Sequence, residues 1–387
     1  MTALRPECSL PPCGGGSGRG VTTSDVARGT HTPGPSPQAG GGLIAQRFFS
    51  KTIAVAIAAV TLSAIAHAQT VPIPAPPTRE PVSIEVDARP IPSFDTRDRS
   101  HVQFGQLRYR SGLILTSKYR DFGGLSGIRL DAKGEGFVAI SDQGNWFTGK
   151  IAYSGKAMVG LTDVEAAPIL GPDGRAITAR KWYDSESIAV DGPSVYVGLE
   201  RVHQILKFDF GRDGVRARAE VLPQPPGMRK LPPNGSLESL VVGRKGLALA
   251  GTLIAISERG LDPAGNIMAW LIGGKAPASF SVRRTDSYDI SDAAQLPTGD
   301  LLVLERKLSL LGGAGIRIRR IALASIAAGA TVDGPSIFDA DLGHEIDNFE
   351  GLEVHVTDDG DTVLTLVSDD NFSMLQRTLL LQFTLVE

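Results

Sequence analysis

Nine carboxylates stand at the edges of short apolar runs: Asp142, Glu186, Glu200, Glu238, Glu258, Asp292, Glu305, Glu350 and Asp369. Oxygen donors without neighbouring thiols or clustered histidines suit Ca2+ or Mg2+ rather than zinc or copper. Like charges gathered at one mouth repel, and a divalent cation would neutralise them. Asp142, Glu186, Glu238, Glu258, Asp292, Glu350 and Asp369 are the expected cation ligands, with Glu200 and Glu305 as catalytic acids. Arg201, Arg259 and Arg306 each follow an acid directly. A guanidinium fork matches the oxygens of a phosphate or carboxylate, so these three, with Asn371, are the expected substrate contacts. His203, two residues past Arg201, is the histidine placed to carry a proton. The competing reading makes each acid a brace, bonded to backbone N–H groups or to an arginine of the next structural unit.

These residues belong to a pattern that returns five times: a small or acidic residue, an apolar strand, a turn, a second apolar strand, then an acid. Its five copies begin near Ser126, Glu186, Glu238, Asp292 and Glu350, spaced 60, 52, 54 and 58 residues apart. A period near 50 with about four strands per unit is the mark of a β-propeller. Antiparallel pairing around Asp191-Gly192, Pro297-Thr298-Gly299 and Asp359-Gly360 brings the flanking acids to one open end of each hairpin. The expectation is an all-β propeller of six four-stranded antiparallel blades over 82–387. Its sixth blade would come from 82–117; the alternative is that these residues close the ring with Thr378–Leu385. Ile321–Ala330 is the best helix candidate.

The chain ahead of the propeller reads differently. Residues 1–42 are low-complexity, with Gly14–Gly16, Gly40–Gly42, Pro33, Pro35 and Pro37. Residues 43–68 have the plan of a signal peptide: basic Arg47 and Lys51, an apolar run from Ile53 to Ile65, and the small-x-small box Ala66-His67-Ala68. The expectation is a start near Leu43, cleavage between Ala68 and Gln69, and a periplasmic or secreted chain. Residues 69–81 form a Pro-rich linker. The apolar run is too short to span a bilayer, so no membrane span is expected in the mature chain.

Of the 387 residues, 39 are Lys or Arg and 42 are Asp or Glu, for a net charge of −3. This balance argues against a nucleic-acid partner. Cys8 and Cys13 are the only cysteines, so a chain from Gln69 has no disulfide, thiolate ligand or cysteine nucleophile. Gly144–Lys150 has P-loop spacing, but Ile151 stands where Ser or Thr would hold Mg2+. Gly124-Leu125-Ser126-Gly127 misses nucleophile-elbow spacing by one position. A metal-activated water is the nucleophile that remains.

The runs Gly123-Gly124-Leu125-Ser126-Gly127, Val138-Ala139-Ile140-Ser141-Asp142-Gln143-Gly144 and Asp184-Ser185-Glu186-Ser187-Ile188-Ala189-Val190 resemble the phytase-like family, named for esterase-like activity of phytase. Leu199–Ile205, Leu304-Glu305-Arg306, Asn348–Leu352, Val367–Phe372 and Gln376–Leu380 continue the resemblance in order. It covers roughly 120–387 and implies an exported bacterial propeller that hydrolyses a phosphate monoester or other ester. Taken together, the residues and the resemblance lead to a monomeric Ca2+- or Mg2+-dependent hydrolase of a small anionic ester. The alternatives are a non-catalytic ligand- or protein-binding propeller and a calcium-dependent lactonase type, which would prefer an uncharged substrate.

Overall fold

The computed structural model describes residues 80–273, 277–309 and 313–386. The low-complexity stretch, both cysteines, the expected signal peptide and nearly all of the Pro-rich segment lie outside these residues.

The apolar runs are too short for helices and become strands, which group into five sheets. Blade 1 runs outward through Leu125–Leu130, Gly136–Ser141, Asn145–Ser154 and Ala157–Pro168, with Val82–Ser83 on its edge. Blade 2 comprises Ser185–Asp191, Ser194–Leu199, Gln204–Asp209 and Glu220–Val221. Blade 3 holds Leu237–Val242, Leu253–Leu261, Ile267–Ile272 and Ala278–Val282, plus Thr331–Val332 as a parallel edge. Blade 4 consists of Asp289–Gln295, Leu301–Ser309, Gly313–Ile321 and Ser336–Asp341. Blade 5 joins Asn348–Val356, Thr362–Asp369 and Thr378–Leu385 to the earlier strands Leu107–Ser117 and Val86–Ile91.

The first strand of each sheet packs on the first strand of the next, and blade 5 returns to blade 1. That closed order is a five-bladed propeller, so the expected sixth blade is corrected. Residues 82–117 contribute no inner strand. Leu107–Ser117 instead pairs antiparallel with Thr378–Leu385, and the two ends of the domain close the ring within one sheet. Blades also exceed four strands where these extra segments add. The candidate helix at Ile321–Ala330 reduces to a 3-10 turn over Leu323–Ser325. Among the described residues no helix is long and apolar enough to cross a membrane.

Each of the five blade interfaces has its own apolar core. Ile140 and Trp146 meet Ile188 and Phe208 between blades 1 and 2. Ala189 and Ile205 meet Leu240 and Trp270 between blades 2 and 3, and Ile254 meets Ala293 and Val303 between blades 3 and 4. Leu304 and Ile318 face Leu352 and Leu366 between blades 4 and 5, while Val367 and Leu380 face Ile128 and Phe147 between blades 5 and 1. Burying a Leu or Phe side chain this way is worth roughly 1.5–3 kcal/mol, which sets the blades side by side.

The propeller axis is crossed by a buried arginine. Arg129, on the inner strand of blade 1, donates from Nη1 and Nη2 to both oxygens of Asp292 on blade 4, at 2.9 and 3.0 Å. It also donates to the carbonyls of Leu240 on blade 3 and Leu352 on blade 5, each at 3.1 Å. Asp292 accepts in turn from the backbone N–H of Ala293 and of Leu352.

Candidate functional site

In every blade the first two strands slip register by one residue near the same end. The slip leaves a single bulged residue on the inner strand: Ser126, Glu186, Glu238, Ser291 and Glu350. A bulge bends its strand and re-aims the extra side chain. Opposite these positions, one residue past the last pair before the bulge, the second-strand segments carry Asp142, Glu200, Glu258, Arg306 and Asp369. The two rings form one mouth.

Blade 4 breaks the pattern, because its bulge carries a hydroxyl and its strand end an arginine. Two expected site residues are thereby corrected. Asp292 lies one residue beyond the bulge and is the Arg129 partner inside the channel, not a cation ligand at the mouth. Glu305 lies one residue before the ring position, is fully buried, and accepts from Arg317 and Arg319 within its own blade. A strand's side chains alternate faces, so a one-residue offset exchanges them. The apolar residue ahead of the bulge marks the right frame: Ile290 matches Leu125, Leu237 and Phe349.

The other expected acids do come together. Asp184, Glu186 and Glu200 can bring one oxygen each within 4.8 Å of one another, and so can Glu200, Glu238 and Glu258. Glu200 is common to both trios. Glu238 is only 4% exposed, yet it has no hydrogen-bond or ion-pair partner among the described residues. A buried carboxylate is costly without one. Asp142 Oδ1 is likewise buried and unpartnered. Asp184 was not expected from the sequence. It holds a left-handed backbone angle just before an inner strand, φ 58°, a conformation in which Asp is among the enriched residues.

Among the described residues, Arg306 is the one cation inside the ring. It donates to Glu350, to Asn348 Oδ1 at 2.6 Å and to Glu258 at 3.3 Å. Burial alone would lower its pKa, but Glu350, Glu238 and Glu258 outweigh burial and raise it. Arg259 is more exposed and pairs with Asp289 at 2.8 Å and Glu258 at 3.1 Å. Arg201 stays on the rim, paired with Asp184. Asn371 is exposed, and its backbone N–H donates to Asp369 Oδ1 at 2.6 Å. His203 Nδ1 sits 2.8 Å from Ser236 Oγ, and the Ser236 N–H donates to Glu200 Oε1 at 3.2 Å. The imidazole and Glu200 therefore hold the same residue, one through its hydroxyl and the other through its backbone N–H. Gly124, at φ 59°, is required because a Cβ there would run into the Asp142 carboxylate.

Burial is the first cause of raised pKa values around the mouth. It lifts Asp142 to about 7, with repulsion from Glu350, Asp184 and Asp370 added, and Asp369 to about 8, with repulsion from Glu350, Asp142 and Asp370 added. Glu186 and Glu238 rise for the same reasons. Glu200 also rises, partly offset by the N–H groups of Gly235 and Ser236. These folded-state values exceed the unfolded ones, so the protonated acids stabilise the fold fully below the ordinary value of 3.8 for Asp. That contribution is lost as pH climbs through 7 and 8. Metal-free protein should therefore melt at falling temperatures between about pH 5 and pH 8.5, and D142N/D369N should flatten the slope. A melting temperature that stays level or rises over this range in EDTA would contradict the assignment.

Several solved structures are distantly similar. YCF48 bound to D1 peptide is 13% identical with a TM-score of 0.30, over 63% of this chain and 62% of that one. This chain thus spans less than two thirds of YCF48. The Myxococcus xanthus glutaminyl cyclase is 10% identical with a TM-score of 0.36, over 81% of this chain and 100% of that one. The PQQ-bound aldose sugar dehydrogenase of Streptomyces coelicolor is 10% identical with a TM-score of 0.37, over 80% and 99%. No curated protein matches the chain. The propeller itself rests on the strand order above. The family model described as "Esterase-like activity of phytase" matches residues 120–372, more than half of the chain, which therefore belongs to the phytase-like family.

Proposed function

We propose that the protein is an exported hydrolase of phosphate monoesters or related anionic esters, working at the acid-ringed mouth with bound Ca2+ or Mg2+. The observation that carries this reading is Glu238: a buried carboxylate flanked by Glu200 and Glu258, offset by the charge of Arg306 but by no hydrogen bond among the described residues. Those three side chains would hold the cation, with Asp184 and Glu186 extending the set around Glu200. A cation there supplies Lewis-acid polarisation and an acidified water. Arg306 is the anion-facing group of the ring, one hydrogen bond from Glu258. His203, held by the Ser236 hydroxyl, is the candidate proton acceptor beside the ring, while the Ser236 backbone N–H separately holds Glu200. Burial lowers the His203 pKa, which favours the neutral imidazole that can accept a proton.

A second reading has its own support. Arg259 and Arg306 already carry carboxylate partners, as they would in a propeller that binds a ligand without cleaving it. One experiment separates the two. Protein recovered from the periplasm should begin at Gln69 and should hydrolyse a phosphate monoester in Ca2+, with EDTA or E238Q each costing at least about a hundredfold in kcat/KM. Absence of turnover on phosphate monoesters, aryl esters and lactones alike would leave the binding reading. Recovery of a chain retaining residues 1–42 would refute export by cleavage.

A further inference from the structure

A cleft of about 600 Å3 opens from the mouth between blades 4 and 5. Its inner end reaches Arg306 and Glu350 of the ring. Further out, its lining changes character: Leu308, Leu342 and Leu375 face it, and they are 90%, 69% and 93% exposed. Leucines on three separate segments, all left to water around one concavity, form an apolar patch that folding did not use. Lys307, next to Arg306 on its strand, also lines the cleft, and its ammonium rests 4.5 Å from the centre of the Tyr288 ring. Arg259, Arg306 and Arg377, which also line the cleft, pair with acids, but Lys307 has no carboxylate partner among the described residues.

We infer that this cleft is a subsite for an amphiphilic anion, whose charged head meets Lys307 beside Arg306 and whose apolar chain lies along Leu308, Leu342 and Leu375. The inference rests on the anionic-ester reading of the mouth and narrows it to esters that carry a hydrocarbon chain. Two features of the cleft favour this occupant over a protein segment. Its lining carries four basic side chains against the three acids Asp289, Asp347 and Glu350, together with three exposed leucines, matching a molecule with an anionic head and an apolar chain. It is also a concavity of small-molecule size that ends at the ring, where an ester bond would have to arrive.

The test uses calorimetric titration with n-alkyl phosphonates from methyl to octyl, below their micellar concentrations and with Ca2+ present. These compounds carry the head group but no cleavable ester, so binding is read without turnover. Affinity should rise about two- to fourfold per added methylene until the chain outgrows the leucines. L342S/L375S should flatten that rise while leaving methyl phosphonate unchanged. K307Q should weaken every member of the series by roughly tenfold, and neutral 1-octanol should bind far more weakly than octyl phosphonate. Affinity independent of chain length, or a chain-length rise untouched by L342S/L375S, would overturn the inference. Equal binding of 1-octanol, or no binding at all, would also overturn it. Phosphonate binding without any ester turnover would defeat only the hydrolase reading. Turnover of short esters with a flat alkyl series would defeat only the subsite.

Discussion

Replacing Asp292 by alanine should cost the propeller about 3–5 kcal/mol, because it removes the bidentate partner of Arg129 in the channel. The guanidinium would keep its bonds to the Leu240 and Leu352 carbonyls and a 3.4 Å contact with Glu353, but lose both Asp292 oxygens. The backbone N–H of Leu352 would lose its acceptor as well. The value of the pair itself is a separate question. Exchanging the set for well-packed neutral residues, R129M with D292L and E353Q, should cost less than D292A alone, since Glu353 also faces Arg129 and buried ion pairs gain little over hydrophobic packing of similar volume. Urea unfolding of the three proteins measures both terms. A D292A loss below about 1 kcal/mol would mean that Arg129 finds water or another acid, and that the channel is not sealed there.

Calcium should stabilise the wild-type protein by about 2.7 kcal/mol at a hundredfold excess over its dissociation constant. The gain comes from placing a cation among carboxylates that otherwise remain protonated or repel. E200Q/E238Q should abolish it, because that pair supplies Glu200, shared by both trios, and the unpartnered Glu238. D213N, at a surface position paired with Arg212, should leave it intact. E305Q is the informative control. It should lower the baseline by loosening Arg317 and Arg319, yet leave the calcium increment unchanged. A melting temperature unmoved by millimolar Ca2+, Mg2+ or EDTA on metal-free protein would remove the cation, and the acids would then be braces for neighbouring blades.

The contrast between Glu238 and Glu305 shows how far the chain alone could lead. Both end up buried, both stand in a repeated hairpin, and both carry the same side chain. Only Glu238 faces the mouth. The repeat was readable because each blade needs the same alternation of apolar strands and turns, and because its acids recur at nearly constant spacing. The family motifs were readable because they are contiguous. Asp142, Glu186, Glu200, Glu238, Glu258, Glu350 and Asp369 could therefore be assigned to one mouth before any strand was placed.

Blade 4 could not be framed that way. Its acids at 292 and 305 satisfied the spacing, but the bulge fell at Ser291 and turned both carboxylates away from the mouth. Arg306 rotated into their place. Blade number was equally beyond local pattern, because Leu107–Ser117 reads as a competent strand whether it starts a sixth blade or completes the fifth. Periodic spacing and composition are properties of the chain, so they set the propeller and its acid-rich end. Closure pairs distant residues such as Leu115 and Thr378, and register is settled by the folded pairing of Ile290 with Glu305, where a slip of one residue exchanges the two faces of a strand. That is why the folded ring, and not the repeat, decided which blade supplies the arginine.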